Sequence, residues 1–237
     1  MVNSAHADRV QAAKRNTAPA IKKLFPEGLS RVRQIYFRAF KQEKVLELWA
    51  GSKRGGSLRL VKSYRIAGMS GGPGPKRMKG DKQVPEGVYS IDRFNPLSRF
   101  HLSLGINYPN ASDRARTTAA DPGHDIFIHG NKVSIGCLAM TDAVIEEIYV
   151  IANSVRRHGA IRVDIFPFRM DVKFNPPKAH AELWSELQAV FLAFENGKVV
   201  PRVKISGDGR YVVLPERIRE RTTSQGTSHR RSATSSS

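Results

Sequence analysis

The sequence predicts a mainly β protein with two helices appended, in the α+β class. Short β-prone runs of apolar residues, separated by turns rich in Gly, Pro, Asn and Asp, fill most of the chain. Only two stretches carry apolar residues at helical spacing. A parallel sheet built from βαβ units needs more helices than this, so that class is excluded. A length of 237 residues and a hydrophobic fraction of 40% suit one domain with extensions.

The predicted strands share apolar residues that alternate with polar ones or run together between turn residues. In chain order they are a hairpin over 34–49, single strands at 58–66, 88–91, 99–105, 126–128 and 160–166, and a closing hairpin formed by 202–205 and 211–214. The segment 71–87 is a long loop rich in Gly, Pro and Lys. Loops of this length inside a compact domain are often functional.

Both predicted helices follow residue 140. Apolar residues recur at helical spacing over 144–155, in a helix of about sixteen residues that Gly159 ends. The second helix spans 179–195 and carries its apolar side chains along one face. We expect the first helix to brace the segment that precedes it against the sheet.

The two ends of the chain differ in composition from its middle. Residues 1–30 form a polar, Ala-rich segment in which Pro19 interrupts any long helix. Ala5-His6-Ala7 has the small-x-small pattern of a signal-peptidase site, so this segment is either the remnant of an export signal region or an ordinary tail. Residues 31–215 form the folded domain, and 216–237 is predicted to be a disordered basic tail.

The charge balance limits the kinds of partner that the protein is expected to bind. The formal net charge is +18 and the isoelectric point is near 10.4, which favours polyanions such as nucleic acid, anionic lipid or wall polymers. No zinc-finger spacing, aromatic RNP strand or basic zipper is present, so no specific nucleic-acid binding is predicted. No apolar run is long enough to span a membrane, and one cysteine cannot build a disulfide framework.

The stretch 126–142, IFIHGNKVSIGCLAMTD, is the strongest candidate for chemistry. Cys137 is the only cysteine, and His129 at the end of the preceding strand is a candidate proton acceptor for it. Gly136 permits a sharp turn, so that the amides of Gly136 and Cys137 can face a developing oxyanion. A helix start a few residues on favours the thiolate. The alternative is a buried, inert Cys137 beside a structural His129.

Several ordered blocks resemble the L,D-transpeptidase catalytic domain (YkuD) family, and in particular its YafK-like branch. The matching segments are His129-Gly130, Ser134-x-Gly136-Cys137 and Ala139-Met140-Thr141-Asp142, together with GDKQVPEG at 80–87, FHLSL at 100–104 and YPNA at 108–111. The likeness runs from about residue 33 to residue 213 and implies a β-sandwich. It also implies that the loop 71–87 packs beside the site, with Gly80, Asp81 and Gln83 in an ordered turn.

The resemblance implies cysteine acyl transfer on peptidoglycan stem peptides that contain diaminopimelate, in the periplasm. Cys137 is then the nucleophile and His129 the base, oriented by a backbone carbonyl, with no metal or organic cofactor. Gly136 shapes the catalytic turn, and Ser134 either positions the turn or contacts substrate, although Ser134 is equally read as a plain turn residue. His101, Gly130 and Met140 are the expected substrate contacts, and for His101 the alternative is a half-buried structural histidine.

Two departures from the wider family pattern leave the reaction open. Ile135 stands where the family has a second His, and Ala139 stands where it has an Arg that is expected to hold substrate. The thioester can therefore pass to an amine, as in an L,D-transpeptidase, or to water, as in hydrolases that trim stem peptides or release wall-linked lipoprotein. A hypothesis from another class is a non-catalytic basic protein that binds polyanions. The sequence carries no signal for an oligomeric state.

Overall fold

The computed structural model describes residues 2–215, with side chains from residue 8 onward. Its elements in chain order are α1 (Val2–Leu24), β1 (Gln34–Phe40), β2 (Val45–Gly51), β3 (Arg59–Arg65), β4 (Gly87–Asn95), β5 (Ser103–Ile106), α2 (Ala111–Ala115), β6 (Phe127–His129), β7 (Leu138–Ala139), α3 (Asp142–Val155), β8 (Arg162–Phe166), α4 (Ala181–Gly197), β9 (Val203–Ile205) and β10 (Tyr211–Val213). The sheet-dominated class that the sequence predicts is confirmed.

One eight-stranded sheet carries the fold, in the order β3-β2-β1-β8-β4-β5-β6-β7, and β9 and β10 form a separate hairpin. Only β1–β8 and β6–β7 are parallel pairs. Strand β4 joins the two halves of the sheet, since its first residues pair with β8 and its later ones with β5. A register irregularity between Ile91 and Arg93 lies at this change of partner. Such irregularities bend strands, which lets both halves of the sheet face one core.

The alternation of side chains in β1 separates two apolar layers. Ile35 and Phe37 point into the main core, which also buries Ile148 and Ile151 of α3. The opposite face is covered by α4, where Tyr36 packs edge-on against Phe194 with ring centroids 4.9 Å apart. Both faces of β1 are therefore buried, as its almost continuous apolar sequence requires.

The amino-terminal segment corrects one prediction. Helix α1 runs through Pro19 instead of being interrupted there. Tertiary packing outweighs the missing hydrogen bond, because Ala13 is fully buried and Ile21 packs against the main core. The helix lies against α3 and is thus a third major helix that sequence periodicity did not reveal.

Smaller differences concern the ends of elements. The first predicted helix is α3 followed by a short 3₁₀ turn over Arg156–His158, and Gly159 ends it at φ 125°. The strand predicted at 99–105 begins only at Ser103, and His101 lies before it in a bend at φ 70°. Two short elements, α2 and β7, had no sequence signal. The predicted tail 216–237 lies outside the described residues. Among the described residues, no helix is both long and apolar enough to cross a bilayer.

A buried ion pair anchors the long loop that precedes β4. Lys41, directly after β1, lies 3.0 Å from a carboxylate oxygen of Glu86, and both side chains are completely buried. The Lys41 ammonium also donates to the carbonyls of Gly74 and Val84, at 2.6 and 2.7 Å. The Glu86 carboxylate accepts from the Trp184 indole at 2.8 Å. These contacts attach both ends of the loop to the sheet and to α4.

Replacing Lys41 with Met is expected to destabilise the protein strongly, because Glu86 would keep a buried charge without its cation. Removing one partner of such a pair costs about 3–5 kcal/mol. Urea unfolding followed by circular dichroism measures the loss. The control is Lys79→Met, which breaks an exposed pair with Asp121 and should cost about 0–1 kcal/mol. Equal losses in the two variants would contradict the anchoring role of Lys41.

Candidate active site

The parallel pairing of β6 and β7 places Cys137 and His129 on one face of the sheet. Ile128 is paired with Leu138, and His129 with Ala139. If this register is extended by one residue toward the amino terminus, Cys137 lies opposite Phe127. The Phe127 N–H donates to the Cys137 sulfur at 3.4 Å. Because side chains two residues apart share a face, Cys137 and His129 lie on the same side of the sheet, one diagonal step apart.

The imidazole of His129 is held in one tautomer. Its Nδ1 lies 2.6 Å from the carbonyl oxygen of Gly130, which can only accept, so Nδ1 carries the proton and Nε2 is a free acceptor. The Phe100 ring stacks on it with centroids 4.7 Å apart, and the residue is only 2% exposed. Burial lowers the pKa of His129, and the bond to Gly130 offsets this only in part. The side chain is therefore a neutral base near pH 7.

The thiol of Cys137 is partly exposed and protonated at rest. Its sulfur donates to the main-chain carbonyl of Asp125 at 3.7 Å. Burial raises the pKa of Cys137, the Asp125 carboxylate raises it further, and the Phe127 N–H and the Lys76 ammonium lower it in part. Within the described residues the sulfur makes no hydrogen bond to His129, and the two pKa directions favour a neutral thiol and a neutral imidazole.

This electrostatic state corrects the expectation that a nearby helix start favours the thiolate. Helix α3 begins at Asp142, five positions after Cys137, and strand β7 lies between them. A helix dipole acts only within about the first turn. Desolvation of Cys137 therefore dominates, and the thiol needs a base to ionise it.

The turn before the nucleophile is built by two hydroxyl groups. Ser134 Oγ donates to the Cys137 carbonyl at 2.7 Å and accepts from the Cys137 N–H at 3.0 Å. Gly136 has φ 83°, a conformation that favours glycine, and its N–H donates to Ser70 Oγ at 2.7 Å. Ser134 thus holds the turn through both polar main-chain groups of Cys137. Contact between Ser134 and substrate stays a prediction. The two amides expected to face an oxyanion are bonded to Ser70 and Ser134 in this structure.

The segment that precedes the predicted loop 71–87 packs beside this turn. Ala67 and Gly68 donate their N–H groups to the Ala139 carbonyl, and Ala139 donates back to the Gly68 carbonyl at 2.9 Å. A side chain on Gly68 would collide with the Lys132 carbonyl, so glycine permits this close approach. Further along, Asp81 orders the predicted turn by accepting from Lys76, Arg77, Met78 and Gln83.

Three residues expected to contact substrate lie in structural positions. Met140 is fully buried in the main core, so its side chain has no route to a substrate in this structure. Gly130 is enclosed by the Phe100 carbonyl and Asp142, and its own carbonyl orients His129. His101 Nε2 lies 2.8 Å from a carboxylate oxygen of Glu146 on α3, the structural alternative considered for it. Substrate contact by His101 remains a prediction.

Several residues that shape the site were missed by sequence reasoning. Ser70 bonds the amide of Gly136, Phe100 covers the imidazole, and Asp125 supplies the carbonyl that holds the thiol. Phe100 lies in one of the resembling blocks, which was the one signal available for it. Ser70 and Asp125 lie in loops, where spacing along the chain says nothing about which turn they approach.

The fold and site define a sheet-based domain that presents one cysteine and one histidine on adjacent strand ends. The chain matches the family model for the L,D-transpeptidase catalytic domain (YkuD) over residues 26–165. It is also 38% identical over 186 residues to YafK of Escherichia coli K12, which is named as a candidate L,D-transpeptidase, covering 76% of this chain and 73% of that one. The chain belongs to the L,D-transpeptidase catalytic domain family.

Two solved structures show a more distant similarity. A single-substitution variant of the helical cell shape determining protein Pgp2 from Campylobacter jejuni matches at 23% identity with a TM-score of 0.46, over 69% of this chain and 56% of that one. Bd1075 from Bdellovibrio bacteriovorus matches at 20% identity with a TM-score of 0.42, over 70% and 58%. The chain spans less than two thirds of either protein.

The reactivity of Cys137 should rise with pH rather than stay high in acid. Because burial raises the thiol pKa and lowers that of His129, we expect no thiolate–imidazolium pair at rest. Iodoacetamide alkylation, followed by intact mass, should accelerate up to and beyond the ordinary thiol pKa of about 8.5. A rate that is already maximal below pH 6 would contradict the neutral pair.

Proposed function

We propose that this protein is a cysteine acyltransferase that forms a thioester on Cys137 with peptidoglycan stem peptides. One observation carries the proposal: a histidine whose Nδ1 proton is fixed by a backbone carbonyl lies on the same sheet face as the cysteine, one register step away. An imidazole in that tautomer can accept a proton only at Nε2. Family membership supports the same assignment of roles.

Acylation begins with transfer of the Cys137 proton to His129. The sulfur then attacks a peptide carbonyl carbon, and the tetrahedral intermediate collapses as the C–N bond breaks. The imidazolium returns the proton to the departing amine, which leaves an acyl thioester. Both groups start neutral, so charge separates only during the reaction, and the Gly130 carbonyl stabilises the imidazolium as it forms.

The amide of Gly136 is proposed to hold the oxyanion, whereas the Cys137 N–H stays bonded to Ser134. Ser70 Oγ lies 2.7 Å from the Gly136 nitrogen, a distance suited to an acceptor oxygen. We infer that a substrate oxygen displaces this hydroxyl, which can rotate while keeping its bond to the Lys82 carbonyl at 2.7 Å. Ser134 keeps the turn fixed meanwhile, because it bonds both the N–H and the carbonyl of Cys137.

The acceptor that releases the thioester is either an amine or water. An amine gives transpeptidation, and water gives L,D-carboxypeptidase or amidase activity, including release of a wall-linked lipoprotein. Ala139, which replaces the family Arg, is fully buried and pairs with His129 in the sheet, so no cation lies at that position. In either case the substrate implies action in the cell envelope, on the periplasmic side.

Replacing Cys137 with Ala should abolish product formation from cross-linked and lipoprotein-bearing sacculi, measured by mass spectrometry of released fragments. His129→Gln should lower the rate by about 10²–10⁴-fold, because general-base catalysis contributes that much. Ser154→Ala is the matched control, since its hydroxyl bonds only the Val150 carbonyl on α3. Products that persist unchanged in the Cys137 variant would refute the enzyme assignment.

A further inference from the structure

The bend between β4 and β5, residues 96–102, contains the aromatic ring that covers the imidazole of the candidate site. Phe100 stacks on His129 with ring centroids 4.7 Å apart, and His129 is buried whereas Phe100 itself is 42% exposed. The bend also contacts the end of β6, because the Gly130 N–H donates to the carbonyls of Phe100 and Leu102 at 3.0 and 3.2 Å. The position of the 96–102 bend therefore sets the position of the ring over the imidazole.

The other side of the 96–102 bend is held by helix α1. The Arg9 guanidinium donates to the carbonyls of Ser98 and His101 at 3.0 and 2.9 Å, and to that of Pro96 at 3.4 Å. One cationic group thus bonds three carbonyls of one short segment, and hydrogen bonds from a charged donor are stronger than neutral ones. The bend therefore lies between α1 and the end of β6, with hydrogen bonds to both.

A second contact links α1 to the same bend by way of α3. Asn16 Nδ2 donates to one carboxylate oxygen of Glu146 at 2.9 Å, and the other oxygen lies 2.8 Å from His101 Nε2. His101 has φ 70°, an uncommon conformation for a residue other than glycine. Such conformations persist only where the surrounding contacts fix them. Arg9 holds the main chain of His101, and Glu146 holds its side chain.

Helix α1 lies outside the part of the chain that matches the family model. It ends at Leu24, and the match covers residues 26–165. Its apolar side packs against the main core, which accounts for the stability of the helix. That packing does not account for the contacts that Arg9 and Asn16, both exposed residues, make toward the 96–102 bend.

We propose that Arg9 and Asn16 are positioning residues that act through the 96–102 bend. They keep the Phe100 ring stacked on His129 and so fix the direction in which its Nε2 points. A backbone carbonyl holds the imidazole at Nδ1 alone, and a ring held at one atom can pivot about that bond. Stacking on the ring face removes this freedom. The kinetic consequence rests on the proposed function, since a misplaced base slows proton transfer.

The first test observes the imidazole directly and needs no substrate. Burial is the main reason why the pKa of His129 lies below its ordinary value of about 6.5, so a loosened Phe100 ring should raise it. NMR titration, with the signal assigned by its loss in His129→Gln, should show this rise in Arg9→Met combined with Asn16→Ala. Arg9→Lys, which keeps a charged donor, should stay close to wild type. The matched control is Arg15→Met, which removes an exposed cation from the same helix.

A second variant tests the same route if the substitutions in α1 disturb folding. Phe100→Leu removes the stacking ring while α1 stays intact, and it should raise the pKa of His129 by itself. Adding Arg9→Met to Phe100→Leu should then change this pKa little further, because effects that pass through one contact do not add. An unchanged pKa in Phe100→Leu, or shifts from the two substitutions that simply add, would overturn the positioning role.

Turnover of a diaminopimelate-containing stem tetrapeptide gives the kinetic measurement. Arg9→Met combined with Asn16→Ala should lower kcat about 10- to 100-fold with little change in KM, because the two residues act on the base and not on bound substrate. An unchanged kcat, or a change in KM alone, would contradict positioning. Absence of turnover by wild-type protein would refute the proposed function, and the titration of His129 would still decide whether α1 positions the imidazole.

Discussion

The site depends on one very short strand held from both sides. Strand β7 has two residues, Leu138 and Ala139, which pair with β6 on one edge and with Gly68 on the other. A strand of this length has almost no stability of its own. It stays in register because the loop beside it is anchored, and the fully buried Lys41–Glu86 pair provides that anchor. The Lys41–Glu86 pair thus supports the loop region beside which β7 is paired.

Burial of the two reacting groups sets the chemistry that they can perform. It raises the pKa of Cys137 and lowers that of His129, so both desolvation effects oppose a resting ion pair. A neutral thiol avoids reaction in the absence of substrate, because the thiolate is the nucleophile. Under the proposed mechanism, His129 in this tautomer is the base that accepts the thiol proton at Nε2. In the same proposed mechanism, the Gly130 carbonyl orients His129 in place of a third, acidic residue.

The sequence was sufficient for the elements with strong periodicity and for the family to which the chain belongs. Strands β1 to β3 and helices α3 and α4 follow from spacing. The structure places Ser134 in hydrogen-bond contact with Cys137, and the catalytic roles of Cys137, His129, Gly136 and Ser134 stay predictions. The predictions that were wrong concern features that depend on tertiary contacts. Helix α1 passes through Pro19 because α3 covers its apolar side, and Met140 is core because β7 turns it inward. The thiol pKa also has the opposite direction to the local expectation, since burial is a property of the whole fold.

The central claim is that Cys137 carries the acyl group during turnover. Wild-type protein mixed with the stem tetrapeptide and quenched in acid within the first turnovers should gain the mass of the acyl fragment, and peptide mapping should place it on Cys137. His129→Gln should accumulate this species far more slowly. Full turnover without any acyl adduct on Cys137, or an adduct that forms equally fast without His129, would contradict the mechanism.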